Sequence, residues 1–317
     1  MEKNNTEYAL EVKNLTKRFP HLTAVDKVSF NVKVGEIFGF LGPNGAGKTT
    51  TINMLCTLLE PTSGDAIINN FSIIKDPLGV RKSIGLVFQE SGLTLDNHLT
   101  VRENLYLHAK LYGLSNNEFK KRLYNIAKLV EIENRLNSAV GVLSGGTKRR
   151  IEIARVLIHE PKILFLDEPT IGLDAQTRNK IWEYLFKVQK ENNMTIFLTT
   201  QYINEAEICD HIAIIDHGEI VTMDTPEKLK NTIHKDTIEI QTKNNQKSIE
   251  EIKSIFSDLN VVIFGKNIVI KTERGDTMLP KVLEVITEEV LSINLNRPTL
   301  EDVFLQLTGR EIRDKQE

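Results

Sequence analysis

Residues 36–50 read EIFGFLGPNGAGKTT, and this stretch decides the fold. Glu36–Leu41 is a compact apolar run of strand length, and Lys48 to Leu59 reads as a helix with Ile52, Leu55 and Leu59 on one face. Between them, Gly42–Thr50 fits G-x-x-x-x-G-K-[ST]. Strand, glycine-rich loop and helix, in that order, let backbone N–H groups wrap a phosphate while the helix aims its positive end at the same place. Gly42, Gly45 and Gly47 remove the Cβ atoms that would block the approach, and Pro43, Asn44, Ala46 and Thr50 complete the loop. Lys48 is expected to bridge β- and γ-phosphates, and Thr49 to hold Mg²⁺.

Two further segments follow it in order. ILFLDEP at Ile163–Pro169 is a second buried strand ending in two carboxylates. Asp167 is placed to hold Mg²⁺, and Glu168 to polarise an attacking water. Adjacent strand residues point to opposite sides, so these roles require the strand to end there and the chain to bend; Pro169 enforces the end. LSGG at Leu143–Gly146 lies too far along the chain to be part of the first loop. Ser144, Gly145 and Gly146 open a helix near Thr147, a second anion-seeking end. Two such ends in one chain are most economically used by a head-to-tail pair, each nucleotide lying between the loop of one copy and LSGG of the other.

The bulk properties agree with a soluble enzyme of about two domains: 317 residues, 40% hydrophobic, 26% charged. A net charge of −3 gives no reason to expect nucleic acid as a partner. Cys56 and Cys209, the two cysteines, read as small core side chains in a reducing compartment. MEKNNTEYALEV has no apolar signal core, and no run approaches the ~20 residues of a membrane helix, so any membrane span is expected from another chain.

The pattern from Tyr8 to Val34 suggests short strands forming an antiparallel edge. Residues from about 91 to 158 carry apolar side chains at helical spacing and read as an all-helical insert, in which Lys148, Arg149 and Arg150 look like a solvated basic face. Lys162–Asp167, Thr195–Thr200 and His211–Asp216 resume buried strands, giving an α/β sheet with its ligand at the carboxyl edge. The first domain is placed at residues 1–234. A small α+β domain, 235–317, follows in the order β-α-β-β-α-β, that of a ferredoxin-like module. Its second helix is expected to carry Pro280 in the first turn, and a last helix to start from a Thr299/Asp302 capping box and stop at Gly309.

Together these motifs closely resemble the ATP-binding subunit of ABC transporters, over roughly residues 5 to 230. The resemblance implies a P-loop NTPase fold with a helical subdomain, and ATP and Mg²⁺ as ligands. It implies Glu168 as general base, with Lys48 on the phosphates. Gln89 in VFQE matches the glutamine that touches Mg²⁺ and the attacking water, and Asp174 in IGLD the residue that communicates across the dimer. Phe19 in TKRFP occupies the position that stacks on adenine, although from the residues alone an aromatic between strands reads as core. The chain departs from the family at Thr147, where LSGGQ is usual, and at Gln201 in LTTQYINEAE, where most members carry His. A Gln amide donates a hydrogen bond to a γ-phosphate but cannot shuttle a proton. With IIDHGEIVTMDTPEKLK and RPTLEDVFLQLTGRE, this variant resembles the daunorubicin-resistance type of exporter ATPase. That implies a homodimer, or a pair with a related ATPase, working peripherally on the cytoplasmic face of the membrane with a separate polytopic permease. A soluble ATPase of the same family acting on ribosomes or DNA is the alternative, but it usually carries two cassettes or a long coiled coil.

Overall fold

In the computed structural model the described residues are 7–90, 92–233 and 236–309, and they divide into two compact units at Asp224/Thr225. In the first unit β1 (Tyr8–Phe19) and β2 (Leu22–Lys33) precede β3 (Ile37–Leu41), α1 (Lys48–Leu55), β4 (Ser63–Ile68), β5 (Phe71–Ser72), α2 (Pro77–Ser83) and β6 (Ile84–Val87). The helices α3 (Val101–Leu111), α4 (Asn116–Leu129) and α5 (Gly145–Leu157) come next. Then β7 (Ile163–Asp167), α6 (Ala175–Asn192), β8 (Thr195–Thr200), α7 (Ile203–Ala206), β9 (His211–Asp216) and β10 (Glu219–Asp224) complete the unit.

A mixed sheet of order β10-β9-β3-β8-β7-β6 is parallel except for β10, and an antiparallel sheet of order β2-β1-β4-β5 packs beside it. The central strands IFGFL, ILFLD and TIFLTT are buried at every position, as parallel strands covered on both faces must be. Phe30 of β2 stacks on Phe38 and Phe197 at 5.3 and 5.8 Å between centroids, so aromatic faces join the two sheets. The expected short N-terminal strands are in fact two of twelve residues each. Register shifts break their alternation, and left-handed Asn14 and Lys27 (φ 48° and 49°) mark the irregular stretch, which in sequence looks like turns.

Capping boxes start α3 at Thr100/Glu103 and α4 at Ser115/Glu118. Where α3 and α5 meet, a chain of hydrogen bonds assigns the histidine tautomers. His159 Nε2–H donates to Ile84 O at 2.9 Å, which leaves its Nδ1 to accept from His108 Nε2–H at 3.2 Å. His108 Nδ1 then accepts from Arg155 at 3.0 Å. Both rings must be neutral for this chain to exist. Burial, with Arg155 beside them, pulls His108 from 6.5 down to about 3 and His159 down to about 4. A depressed histidine means the unfolded chain binds more protons below pH 6.5, so stability is complete above that value and is lost as pH falls toward 4. The melting temperature is therefore expected to be lower at pH 5 than at pH 7, and the difference to shrink in His108→Gln/His159→Gln.

The second unit holds α8 (Pro226–Asn231), β11 (Asp236–Thr242), α9 (Asn245–Ile255), β12 (Asn260–Phe264), β13 (Asn267–Thr272), α10 (Gly275–Val285), β14 (Val290–Asn296) and α11 (Leu300–Thr308). Its sheet has order β12-β13-β11-β14 with every pair antiparallel, the split-βαβ arrangement. Ile238, Ile240, Ile268, Ile270 and Val261 project from one sheet face onto Ile249 and Ile252 of α9 and Val282 of α10. The unit begins earlier than residue 235 because α8 packs against α11. The Thr299/Asp302 capping box starts α11, and left-handed Gly309 ends it. Helix α10 starts at Gly275 rather than Met278, so Pro280 lies in the helix interior, where it costs a backbone hydrogen bond.

Candidate functional site

The site forms where β3, β7 and β8 end. Gly42 N–H donates to Thr200 O at 3.2 Å, tying the loop to the end of β8, and Gly218 N–H donates to Ala46 O at 3.0 Å. Gly47 is obligatory on two counts: its φ is +104°, and a Cβ there would lie 2.4 Å from Ala24 O. The loop curls back so that Lys48, first residue of α1, donates through Nζ to Gly42 O at 2.9 Å and Pro43 O at 3.1 Å. The same ammonium lies 3.1 Å from Glu168 Oε1, with both side chains 4% exposed.

Glu168 reaches that position because β7 stops at Asp167 and Glu168 turns left-handed, φ 44°. Its N–H donates to both Thr199 O and Thr199 Oγ1 at 3.1 Å, and the Thr199 hydroxyl donates to Asp167 Oδ1 at 2.5 Å. One threonine thus holds the Asp167 carboxylate and the backbone of Glu168. Thr49 Oγ1 lies 3.3 Å from Asp167 Oδ1, and Gln89 Nε2 donates to Glu168 Oε2 at 3.3 Å. Lys48, Thr49, Gln89, Asp167 and Glu168, separated in sequence, converge on one spot. The Thr49 hydroxyl and Asp167 carboxylate are hard oxygen donors and fit Mg²⁺, which normally takes one or two protein oxygens and completes its shell with water and substrate phosphate. No group of three or more His, Cys, Asp or Glu suited to a metal occurs among the described residues.

Other expected residues lie apart from this cluster. Ser144 caps α5, its Oγ accepting from Thr147 N–H at 3.4 Å, and a Cβ on Gly145 would meet nothing within 4 Å. Gly146 faces the start of α6, where a Cβ would come 3.0 Å from the Thr177 methyl. Asp174 caps α6, accepting from Thr177 N–H at 2.9 Å and from its hydroxyl at 2.7 Å. These bonds, the hydroxyl's above all, lower the Asp174 pKa. Phe19 is 43% exposed at the end of β1, with Lys17 Nζ 5.4 Å from its ring centroid, so it is not a core aromatic. Gln201 follows β8, half-buried, immediately after the residue whose carbonyl holds Gly42.

Three residues of consequence escaped the sequence reading. Thr199 is one; its signal was a pair of hydroxyls at the carboxyl end of a buried strand. Arg149 is the second. It is 1% exposed, not on a solvated face, and donates to Pro169 O at 2.7 Å and to Phe88 O, the carbonyls following Glu168 and preceding Gln89. Its Nη1 is also 3.3 Å from Glu152 Oε2. Lys148, in contrast, reaches Asn97 on the surface at 3.2 Å. The third is Glu205, 1% exposed, which accepts from Thr200 at 2.5 Å, from Trp182 at 3.3 Å and from Thr170. Burial raises its pKa against the pull of those donors. It ties the loop after Glu168 to the residue before Gln201.

The family model described as ABC transporter matches residues 25–171. The linearmycin resistance ATP-binding protein LnrL of Bacillus subtilis (strain 168) is 37% identical over 313 residues, 96% of this chain and 100% of that protein. The daunorubicin/doxorubicin resistance ATP-binding protein DrrA of Streptomyces peucetius is 33% identical over 314 residues, 97% of this chain and 94% of that protein. Among solved structures, the dimeric post-hydrolysis state of an ATP-binding cassette bound to ADP and Pi superposes with a TM-score of 0.62 at 32% identity, covering 68% of this chain and 98% of its own. No helix among the described residues is long and apolar enough to cross a membrane. With phosphate loop, paired carboxylates and LSGG helix all in place, the chain belongs to the ATP-binding subunits of ABC transporters, in the group that includes the daunorubicin-resistance ATPases.

Proposed function

We propose that this chain binds and hydrolyses MgATP as a pair of copies, and that the cycle drives a separate polytopic permease exporting an amphipathic drug, antibiotic or lipid. The observation that carries the reading is the buried Lys48–Glu168 pair, with Gln89 on the second oxygen of the same carboxylate. Lys48 is placed to take the β- and γ-phosphates. Phosphate oxygens compete with Glu168 for its ammonium, and Glu168 is then held by Gln89 with an oxygen available to accept the proton of the attacking water. Gln89 fixes that carboxylate and the water it polarises, and backbone N–H groups of Gly42–Thr50 orient the phosphates. Thr49 and Asp167, with Gln89 near, would hold Mg²⁺, which when bound neutralises charge on the phosphate oxygens.

The exposed ring of Phe19 supports adenine stacking. The space beside Gly145, at the start of α5, supports a composite site, in which the LSGG end of one copy covers the nucleotide of the other and Asp174 lies near the junction. The names of the relatives, resistance proteins in both cases, and the dimer of the solved cassette support export and pairing. Work at a permease places the chain at the cytoplasmic face of the membrane. If sites are composite, turnover per chain rises with protein concentration until pairing saturates; turnover per chain that stays flat down to nanomolar protein would contradict shared sites.

Gln201 sets a second expectation. Its amide donates to a γ-phosphate but does not titrate. Gln201→His is expected to raise turnover and to introduce a pH dependence between 6 and 8 that the parent lacks. An unchanged turnover in Gln201→Ala would remove the amide from the mechanism.

A further inference from the structure

The C-terminal sheet ends on an edge that the rest of its unit leaves unpaired. β12, of sequence NVVIF, is bonded to β13 and to no other strand among the described residues. It carries no charge, and Val262, Ile263 and Phe264 are 49%, 47% and 79% exposed. Edge strands are normally blunted by lysine, proline or a bulge. None interrupts this one, whose register with β13 runs evenly from Asn260↔Lys271 to Phe264↔Asn267. Gly265, at φ 59°, and Lys266 form a two-residue hairpin loop with glycine first. The pair flanking such a loop is hydrogen-bonded, so alternation along the ladder makes Val262–Val269 and Asn260–Lys271 the next bonded pairs. The N–H and C=O groups of Val261 and Ile263 therefore face away from the sheet.

We propose that this edge pairs antiparallel with the same edge of a second copy, about a twofold axis at Val262, joining two C-terminal sheets into one. Two independent features select that register. The outward-facing residues Val261 and Ile263 come opposite the partner's Ile263 and the partner's Val261, which is where their backbone groups bond. Asp258, exposed in the turn before β12, and Lys266, exposed in the hairpin loop after it, mark opposite ends of the strand, so antiparallel pairing puts each end beside the partner's end of opposite charge, twice by symmetry. Val262 faces the partner's Val262 as a close non-hydrogen-bonded pair, with Cα atoms about 4.5 Å apart. The contact is isologous and closes on itself. It uses no residue of the phosphate site, so it does not rest on the ATPase reading and forms without nucleotide. Two copies held there meet at a raised effective concentration when their cassettes pair.

The test uses the full chain without nucleotide. Both native cysteines are buried, so Val262→Cys introduces the one reactive thiol, and about 4.5 Å between Cα atoms lies within disulfide reach. Mild oxidation is expected to give a covalent dimer for Val262→Cys and none for Ser292→Cys on the opposite edge, β14. In sedimentation, Lys266→Asp is expected to weaken the dimer several-fold and Asp258→Lys/Lys266→Asp to restore it. Restoration distinguishes the register from a general loss of folding, and the charge variants stand alone should Val262→Cys misfold. A nucleotide-free monomer, Val262→Cys crosslinking no faster than Ser292→Cys, a ladder of higher oligomers, or a charge swap that fails to restore the dimer would each overturn the proposal.

Discussion

Glu168→Gln is expected to lower MgATP turnover by about 10²–10⁴-fold, the range for loss of a positioned general base, while the chain is expected still to bind MgATP and to accumulate as a nucleotide-bound dimer. The reasons are local. The amide keeps the shape of the side chain and its seat beside Gln89 Nε2, 3.3 Å away in the parent, so the site is not reshaped. What is lost is the oxygen proposed to accept the water's proton. Without nucleotide the variant leaves Lys48 near a neutral amide, 4% exposed and short of its counter-charge, and this destabilises the empty state. MgATP restores the charge balance, so the stabilisation by ligand is expected to exceed that of the parent. A ligand that binds only the paired state shifts the equilibrium toward it by mass action, and without turnover nothing reverses the shift. Phosphate release and size-exclusion chromatography with MgATP check both halves. Turnover within a few-fold of the parent would place the base elsewhere.

Arg149→Met is expected to cost about 3–5 kcal/mol of stability, the usual penalty for removing one member of a buried charge pair. The guanidinium is bonded to Pro169 O and Phe88 O and faces Glu152, which also accepts from Gly92 N–H at 2.8 Å. Burial pulls the Arg149 pKa down, and Glu152 beside it resists that. Adding Glu152→Leu removes the stranded carboxylate and is expected to recover part of the stability. It is not expected to recover turnover, because the carbonyls beside Gln89 and Glu168 remain untethered. Denaturant unfolding and turnover measured on both variants separate these effects. A single variant within 1 kcal/mol of the parent, or a double variant with full turnover, would contradict the positioning role of Arg149.

Glu168 and Arg149 differ in how far local sequence discloses them. Gly42–Thr50 and the run ILFLDEP were readable because local chemistry dictates them: glycines where a backbone must approach an anion, and unbroken apolar strands where a sheet is covered on both faces. Thr195–Thr200 and His211–Asp216 came out at their observed bounds for the same reason. Arg149 was not readable. It stands in a run of three basic residues, and helical periodicity alone does not say which of them turns inward; the two carbonyls that draw it in come from segments 20 and 61 residues away. Glu205, in NEAE, carries no local signal of burial, and only the return of Thr170 and Trp182 to the same spot explains it. The length of β1 and β2 was hidden by their bulges, which imitate turns. Long-range closure and irregular ladders, rather than weak motifs, account for what the sequence did not disclose.

ATP turnover by this chain is proposed to be spent on a membrane permease. The direct measurement is detergent extraction of the tagged full chain from its native membranes, with identification and quantification of what co-purifies and assay of its ATPase activity. A polytopic membrane protein in comparable amount is expected, with turnover that responds to that partner. Recovery from the soluble fraction alone, bound to ribosomal or DNA-associated proteins, would contradict it even with every residue of the phosphate site intact.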